Sequence, residues 1–522
     1  MDWKTFAQEL GAGRVPEPAR NQAGVKIYPR SLHEHEGVKL LMVRRGMEFM
    51  IAAVGEGSLY RDLKGEEMDG CKLCPANHEN RLVLNRYFPH TVPQAFGKQT
   101  ATFGLGDRLG LAGPGHLQLV RTRKVKPILA QQSIRELNLT GRDYKEVMDA
   151  AAYAVFREGY RDGYGADGDH LKREEDIQMS LDLGFTMLTL DCSEKIDNSI
   201  EGLDEAAVES KYEGLPADVR THYETRYLDR TFRIGEHTLA FNRLNLMKIT
   251  LIYREAIDFM VYIYEKYIRT AGRTVDFEIS IDETLTPTTP AAHFLVAREL
   301  NDRGVDIFSM APRFCGEFQK GIDYIGDLEQ FEREFRVHAA VADHFGYKLS
   351  IHSGSDKFSV FPVIGKHTKG RWHVKTAGTN WLEAVRTVAK VNPGLYRRMH
   401  EYACEHFKEA TAYYHVKADL SKIKPLGEVP DAELPNYLDD DDARQMIHIT
   451  YGLLLQAKAP DGKPLFKDEF YRTLIEQEDA YAEALKRHIG KHLDLLGAEK
   501  RLSDPQQVKF KMGNGYQPGQ II

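Results

Sequence analysis

Two histidines and a glutamate stand where a metal site could form. His170 and His352 each end or interrupt a short apolar run, and Glu317 follows a third run. Imidazole nitrogens and carboxylate oxygens are common ligands of divalent transition metals, and three protein ligands leave positions open for a substrate. These residues therefore predict a catalytic metal site, although a histidine in such a place can equally be a hydrogen-bonded loop residue.

Two carboxylates could move protons beside such a metal. Asp169 directly precedes His170, so a metal on that histidine would leave Asp169 next to a bound substrate. Glu283, after another apolar run, is expected on the other side of the substrate. An acid and a base on two sides of a substrate can invert a carbon centre. The alternative is that each is a surface loop carboxylate.

The apolar runs themselves predict the fold. Eight short runs, each ending in polar residues, alternate with helical patterns, and continuous apolar runs are typical of parallel strands buried on both faces. Eight such alternations favour a (β/α)₈ barrel, in which active sites lie at the carboxyl ends of the strands. The runs are Thr100–Asp107, Pro127–Ser133, Tyr164–His170, Phe185–Glu194, Val275–Glu283, Val305–Arg313, Lys348–Asp356 and Trp372–Thr379.

The barrel is expected over residues 97–395, with additions before, within and after it. Residues 1–96 form an N-terminal extension, and residues 396–522 are predicted to be largely helical. The connection between the fourth and fifth strands is too long for an ordinary barrel loop, so residues 197–245 are predicted to be an insertion. This insertion contains Arg220, Arg226, Arg230 and Arg233.

Composition narrows the class of protein. The 522 residues are 42% hydrophobic and 28% charged, which is the balance of a soluble globular protein. The net charge of −7 is spread along the chain without a basic stripe, so no nucleic-acid partner is expected. No window reaches the about 18 uninterrupted apolar residues of a membrane span, and the N-terminus MDWKTFAQEL does not resemble a secretory signal. A cytoplasmic location is the expectation.

The cysteine and glycine motifs of the sequence do not predict a further metal or nucleotide site. Five cysteines fit a reducing compartment, and Cys71 and Cys74 form a CxxC pair for which a zinc site would want a second pair; an incidental pair is favoured. Gly104–Gly110 reads GxGxxxG rather than GxGxxG, and a phosphate-binding P-loop is absent from the sequence. No nucleotide cofactor is predicted.

Several strand-end segments together resemble a known family. The segments are GADGDHLK, TLDCSE, SIDET, APRFCGEFQKG, SIHSGSDKFSVFP and HVKTAGTNWLEA. They are similar to the tagaturonate/fructuronate epimerase family of hexuronate catabolism, from about Thr100 to beyond Pro393, and the Asp169-His170 pair is also similar to that of class II, metal-dependent aldolases. The resemblance implies a divalent metal (Zn, Mn, Fe, Co or Ni), His170 as a ligand and Asp169 as the acid/base.

The resemblance also constrains the chemistry. D-Tagaturonate and D-fructuronate differ at the carbon β to the ketone, whose hydrogen the carbonyl does not acidify. Two routes remain: transient oxidation by a nicotinamide, for which the glycine fingerprint is missing, and retro-aldol cleavage followed by re-addition, for which the sequence supplies a metal site and proton carriers. The residues expected to bind the substrate carboxylate and hydroxyls are Gln131, Arg313, Ser353, Lys357, His373 and Lys375, with the insertion's arginines as further partners for the carboxylate.

Two other functions stay open at this point. A related metal-dependent barrel could be a ketose aldolase or an aldose–ketose isomerase. A sugar-acid-binding barrel without catalysis is the second alternative, against which the intact Asp169, His170 and Glu283 argue. The partner expected in every case is a small keto sugar acid, and the sequence is compatible with a homo-oligomer.

Overall fold

The computed structural model describes residues 3–16 and 25–501. The N-terminal part forms an antiparallel sheet whose strands run in the order β1-β3-β4-β6-β5, with β2 paired to β3. One face of the sheet packs on barrel residues Tyr153 and Phe156. The elements are α1 (Trp3–Gly11), β1 (Val25–Ile27), β2 (His33–His35), β3 (Val38–Arg45), β4 (Glu48–Val54), α2 (Ser58–Asp62), β5 (Glu66–Met68), β6 (Cys71–Pro75) and α3 (His78–Tyr87).

The CxxC pair lies within this sheet. Cys71 and Cys74 are both on β6 but belong to the apolar clusters on opposite faces of the sheet, because side chains an odd number of residues apart point to opposite sides. Burial raises the pKa of each thiol to about 12. The two sulfurs are therefore buried apolar groups that face different cores.

The predicted barrel is confirmed. Eight parallel strands close in the order β7-β8-β9-β10-β13-β14-β15-β16, and each overlaps one of the eight runs identified from the sequence, to within one residue at either end of the run. The strands are β7 (Thr102–Leu105), β8 (Lys126–Ser133), β9 (Gly165–Leu171), β10 (Met187–Asp191), β13 (Asp276–Ile281), β14 (Ser309–Pro312), β15 (Lys348–Ile351) and β16 (Trp372–Thr376).

Helices cover the outside of the barrel and begin and end at well-defined caps. Thr289 caps α11 by accepting a hydrogen bond from the Ala292 amide at 3.1 Å, with Pro290 in the first turn. Asp327 caps α12, which ends at Gly346 with φ of 77°. The helices are α4 (Gly113–Val120), α5 (Ile134–Thr140), α6 (Tyr144–Glu158), α7 (Glu174–Asp182), α10 (Arg243–Ile263), α11 (Pro290–Asp302), α12 (Leu328–Phe345), α13 (Phe361–Thr368) and α14 (Gly378–Val391).

The connection from β10 to α10 contains two helices and a hairpin, namely α8 (Glu205–Glu213), α9 (Ala217–Tyr227), β11 (Arg230–Ile234) and β12 (His237–Phe241). It packs on the outer side of α11, where Tyr227 donates a hydrogen bond to buried Glu299 at 2.7 Å and Arg226 does so at 3.1 Å. These contacts direct Arg226 towards a barrel helix and away from the strand ends.

The C-terminal part is helical. It contains α15 (Pro393–Ala410), α16 (Asp441–Ile449), α17 (Tyr451–Gln456), α18 (Lys467–Glu476) and α19 (Glu478–Leu495). Together with α14 these helices bury a second large apolar core around Trp381, Tyr451 and Phe470. The Trp381 indole donates to the Ile447 carbonyl at 2.9 Å, which ties α14 to α16. No helix in the described ranges is long and apolar enough to span a membrane.

Candidate active site

Charged side chains fill the centre of the barrel. Glu278, on β13, is fully buried and lies 2.7 Å from both the Lys375 ammonium and the His352 Nε2. Lys375 also reaches Asp167 at 2.8 Å and Asp169 at 2.6 Å. Although burial alone would lower the pKa of Lys375, these carboxylates raise it well above its usual value. Lys375 is therefore a fixed cation at the base of the site.

His352 is oriented by Glu278. Nε2 faces the Glu278 carboxylate and donates a hydrogen bond to it. The other ring nitrogen, Nδ1, lies 3.2 Å from Asp282 Oδ2 but forms no hydrogen bond of good geometry with any described residue. Burial alone would lower the pKa of His352, but the carboxylates of Asp282 and Glu278 raise it to about 10. The negative charge of these two carboxylates therefore favours a cation next to His352.

His170 faces His352 from the third barrel strand. Its φ of 53° lies in the left-handed region, and the β9–β10 pairing shifts register between Gly168 and Leu171, on either side of it, so the strand end is bent. Nδ1 lies 3.5 Å from Asp191 Oδ2, and the two imidazole rings are 4.7 Å apart between centroids. Burial alone would lower the pKa of His170, but the carboxylates of Asp169 and Asp191 raise it above its usual value. The predicted histidine pair is brought together.

The side chains of this cluster are of the types that bind divalent cations, and Asp282 lies where Glu317 was expected. A carboxylate behind each imidazole, Asp191 for His170 and Glu278 for His352, is the usual support of metal-binding histidines. Asp282 Oδ2 lies beside the free nitrogen of His352. Nearby His352 and His170 lower the pKa of Asp282 to about 2 against the effect of burial, so it is a carboxylate at neutral pH.

Glu317 lies outside this cluster. After β14 the chain makes a tight excursion in which Glu317 and Ile325 pair by backbone hydrogen bonds of 2.8 and 3.2 Å. The side chain is then directed towards the C-terminal region, where Lys417 donates to it at 2.9 Å and lowers its pKa. The expectation that Glu317 joins the two histidines therefore needs correction, because the loop geometry directs this side chain elsewhere.

Asp169 and Glu283 line one cavity with the two histidines. Burial alone would raise the pKa of Asp169, but Lys375 and His170 lower it to about 2, so the side chain is an ionised carboxylate at neutral pH. Glu283 follows β13, two strands from β9 around the barrel, and is exposed at the cavity mouth. It is thus not diametrically opposite Asp169, although both face the same space.

Of the predicted substrate-binding residues, three line this cavity and three do not. Gln131, Ser353 and Lys375 line it, and Gln131 Oε1 is buried without a hydrogen-bond partner among the described residues. His373 is fully buried below, where Nδ1 lies 2.9 Å from Thr102 Oγ1.

Lys357 and Arg313 are also engaged elsewhere. The Lys357 ammonium donates to the backbone carbonyls of Gln319, Ile322 and Ser355 at 2.8, 2.6 and 2.8 Å. Arg313 donates to the Thr284 carbonyl. The expectation that His373, Lys357 and Arg313 contact the substrate is not met by this geometry, because each side chain is occupied by protein groups.

The structure adds residues that the sequence analysis did not select. Arg108, Arg135, Lys320, Tyr414 and His448 all line the cavity. His448 belongs to α16, far along the chain, and no local motif marks it. Glu278 had a detectable signal, because a charge at an alternate position of an otherwise apolar strand points into the barrel.

Two other features do not offer the same chemistry. A groove of about 550 Å³ runs between the N-terminal sheet, α6 and α18–α19, and its lining is mainly apolar. Asp356, His488 and His492 also bring three ligand-type atoms within 4.8 Å of one another. There, however, Arg444 donates to Asp356 at 2.7 Å and His492 Nε2 accepts the Asp356 amide at 3.0 Å, so a cation would have to compete with an arginine.

The chain matches a family model described as tagaturonate epimerase over residues 28–496. It is 39% identical over 479 residues to a tagaturonate/fructuronate epimerase of Thermotoga maritima, which covers 91% of this chain and 97% of that protein. Crystal structures of the fructuronate-tagaturonate epimerase UxaE of Cohnella laeviribosi, native and with one glycerol, share 67% identity at a TM-score of 0.91 and cover 95% of this chain and 99% of theirs. The chain therefore belongs to the tagaturonate epimerase family and is a carbohydrate epimerase, an enzyme of the isomerase class.

Proposed function

We propose that this epimerase interconverts tagaturonate and fructuronate by breaking and reforming one carbon–carbon bond, with a divalent cation held by His170, His352 and Asp282. The observation that supports this most directly is the pair of imidazoles, each backed by a carboxylate, beside the Asp169–Lys375 pair. A divalent cation bound there supplies Lewis-acid stabilisation of negative charge that develops on the ketone side of the substrate.

The need for bond cleavage comes from the position of the inverted carbon. The two sugars differ at the carbon β to the ketone, and removing its hydrogen would leave a carbanion that the carbonyl cannot stabilise. Cleavage between the α and β carbons instead leaves the electron pair next to the ketone, as an enediolate, and turns the β carbon into an aldehyde. Turning this aldehyde over before the bond re-forms inverts the β carbon.

The chain supplies the proton carriers for these steps. The Asp169 carboxylate accepts the proton of the β-hydroxyl as the bond breaks, and Lys375 at 2.6 Å keeps that carboxylate oriented. When the bond re-forms on the other face, the new alkoxide takes back the proton that Asp169 accepted, either directly or relayed by the Glu283 carboxylate at the cavity mouth. The reaction then ends with the same number of protons on the substrate and on the protein.

Isotope exchange tests the route. In D₂O, NMR of the product should show no deuterium at the inverted carbon, because its hydrogen stays on the aldehyde fragment throughout. Asp169→Asn should retain metal and lose about 10²–10⁴-fold in turnover, as expected for a proton carrier. Asp182→Asn, an exposed change on α7, is the control and should leave turnover unchanged.

Three results would contradict the route. Stoichiometric deuterium at the inverted carbon would indicate direct proton abstraction. A nicotinamide released on denaturation would indicate transient oxidation. Net accumulation of three-carbon fragments by the wild-type enzyme would indicate an aldolase.

A further inference from the structure

The substrate carboxylate needs a cationic partner, and the cations first expected for it are occupied. Lys375 is held by three carboxylates, Lys357 by three backbone carbonyls and Arg313 by the Thr284 carbonyl. Arg226 of the insertion contacts Glu299 on the outer side of the barrel. The anion must therefore be bound by other groups in the cavity.

One wall of the cavity carries three other cations. Lys320 follows β14, and its ammonium donates to Ser353 Oγ at 2.9 Å. Burial and the nearby Arg135 and Arg108 lower the pKa of Lys320, partly offset by Glu136 and Glu283. These charges repel one another across a shared space, which is a situation that a bound anion relieves.

Arg108 presents an unused donor to this space. Its Nε and Nη2 each bind Glu136 at 2.8 Å, and its guanidinium lies 3.8 Å above the Tyr451 ring. These contacts fix a side chain that is only 3% exposed. The third nitrogen, Nη1, is buried and has no hydrogen-bond partner in the described part of the chain. A buried guanidinium nitrogen without an acceptor is costly, so a ligand acceptor there is expected.

His448 completes the wall from α16. Both of its ring nitrogens are buried without a partner within residues 3–16 and 25–501. Burial, together with Arg108 and Lys320, lowers the pKa of His448 well below its usual value, so the imidazole is neutral and can donate one hydrogen bond and accept another.

We propose that Lys320 and Arg108, with Arg135 at the rim and His448 beside them, bind the carboxylate of the hexuronate. This inference rests on the proposed function for the identity of the substrate. The ketone end of the sugar then lies on the histidine side, where the carboxylates Asp169, Asp191 and Asp282 gather, and the acid end lies on the cationic side. The three cations on one side and the carboxylates on the other favour this orientation of the substrate.

The anchor has a consequence for the reaction. Cleavage between the α and β carbons places the carboxylate on the aldehyde fragment, because the acid group is at the end of the sugar remote from the ketone. Lys320 and Arg108 therefore hold the fragment that must turn over, and they keep it in the cavity until the bond re-forms. An epimerase needs this retention, whereas an aldolase releases the fragment.

The test compares a charged with a neutral sugar. In Lys320→Met, the KM for D-fructuronate should rise about 10- to 100-fold, the loss expected for one charge-assisted hydrogen bond. The inhibition constant of D-tagatose, which differs from the product D-tagaturonate by a hydroxymethyl group in place of the carboxylate, should change less than about 3-fold. Lys417→Met removes the same charge from an ion pair with Glu317 outside the cavity and should leave both constants unchanged.

A second measurement follows the fragment. With an aldehyde-trapping reagent present, Lys320→Met should lose more three-carbon aldehyde per turnover than the wild type does, and a purely structural role would not change this ratio. Arg135→Met should show the same selectivity to a smaller degree, because its side chain is exposed. Arg108→Lys, which keeps the positive charge but loses the planar guanidinium with its fixed hydrogen-bond donors, should also raise the KM for D-fructuronate.

Two outcomes would overturn the anchor: an unchanged KM for D-fructuronate in Lys320→Met, Arg135→Met and Arg108→Lys, or an equal loss of affinity for D-tagatose. The proposed function is judged separately, by wild-type turnover and by isotope content. If the wild type does not turn over D-fructuronate, calorimetric binding of D-fructuronate and D-fructose to the wild type and Lys320→Met decides the anchor in the same way.

Discussion

At the scale of single residues, His170 and His352 each have one ring nitrogen beside a buried carboxylate, which leaves the other nitrogen free. The sequence predicted His170, His352 and Asp169, since each stands at the end of a recognisable strand. It did not predict that Asp282 rather than Glu317 lies beside His352, because that depends on the path of a loop. A residue's distance from a strand end can be read from the sequence, but the direction of its side chain in an irregular loop cannot.

The metal content of variants should show whether Asp282 or Glu317 is the carboxylate that binds the metal. Asp282→Asn should lower bound metal and activity together, because it removes the oxygen 3.2 Å from the free nitrogen of His352. Glu317→Gln should keep metal at the wild-type level, since its partner is Lys417. Elemental analysis of the two purified variants checks this, and loss of metal from Glu317→Gln alone would restore the first expectation.

Glu278 should act on the metal through His352. Glu278→Gln keeps the shape of the side chain but weakens the charged hydrogen bond to Nε2, so metal affinity should fall about 10- to 100-fold. Titration of chelator-treated protein with Zn²⁺ measures it. Restoration of activity at high metal concentration separates this role from a folding defect; a wild-type metal affinity in this variant would contradict it.

At the scale of elements, the C-terminal helices hold the loop that follows β15. Asp356 in that loop accepts hydrogen bonds from Arg444 of α16 and contacts His488 of α19, and Ser353 and Ser355 of the same loop line the cavity. Arg444 and His488 outweigh burial and lower the pKa of Asp356 well below its usual value. The stability that this pair contributes is therefore complete above the unfolded-state pKa of about 4 and is lost as the pH falls through the folded-state pKa.

Removing the arginine should destabilise the protein strongly. Arg444→Met leaves the Asp356 carboxylate buried without its main cation, which costs about 3–5 kcal/mol of unfolding free energy. Arg333→Met removes an exposed arginine 4.0 Å from Glu329 and should cost about 1 kcal/mol or less. Chemical denaturation at neutral pH compares the two, and equal effects would show that the buried pair is not a main contact.

At the scale of the whole molecule, the barrel was predictable and the assembly around it was not. All eight strands overlap the apolar runs found in the sequence, because strands and helices depend largely on the hydrophobic pattern of neighbouring residues. The cavity wall, in contrast, joins Arg108 and Lys320, which follow two barrel strands, to His448 of α16, which lies far along the chain. Contacts across hundreds of residues leave no periodic pattern in a single sequence.

The barrel should therefore not be an independent unit. A chain ending at residue 395 would expose Trp381, Leu382 and Val385 of α14, which the C-terminal helices bury. We expect this truncated protein to aggregate or to remain unfolded on expression, as judged by solubility and circular dichroism. A soluble, cooperatively unfolding fragment would show that the barrel core is sufficient alone.

The cluster around Lys375 also restricts how this family can evolve. Asp167, Asp169 and Glu278 share one ammonium, so replacing Lys375 would leave three buried carboxylates without their common cation, and the cost of replacing any one carboxylate depends on which of the others remain. Loss of Lys375 alone should therefore be strongly selected against, and changes to the charged members should survive mainly in compensating combinations. Among relatives of this chain, Asp167, Glu278 and Lys375 should consequently covary as a group, while the apolar positions of the same strands drift independently.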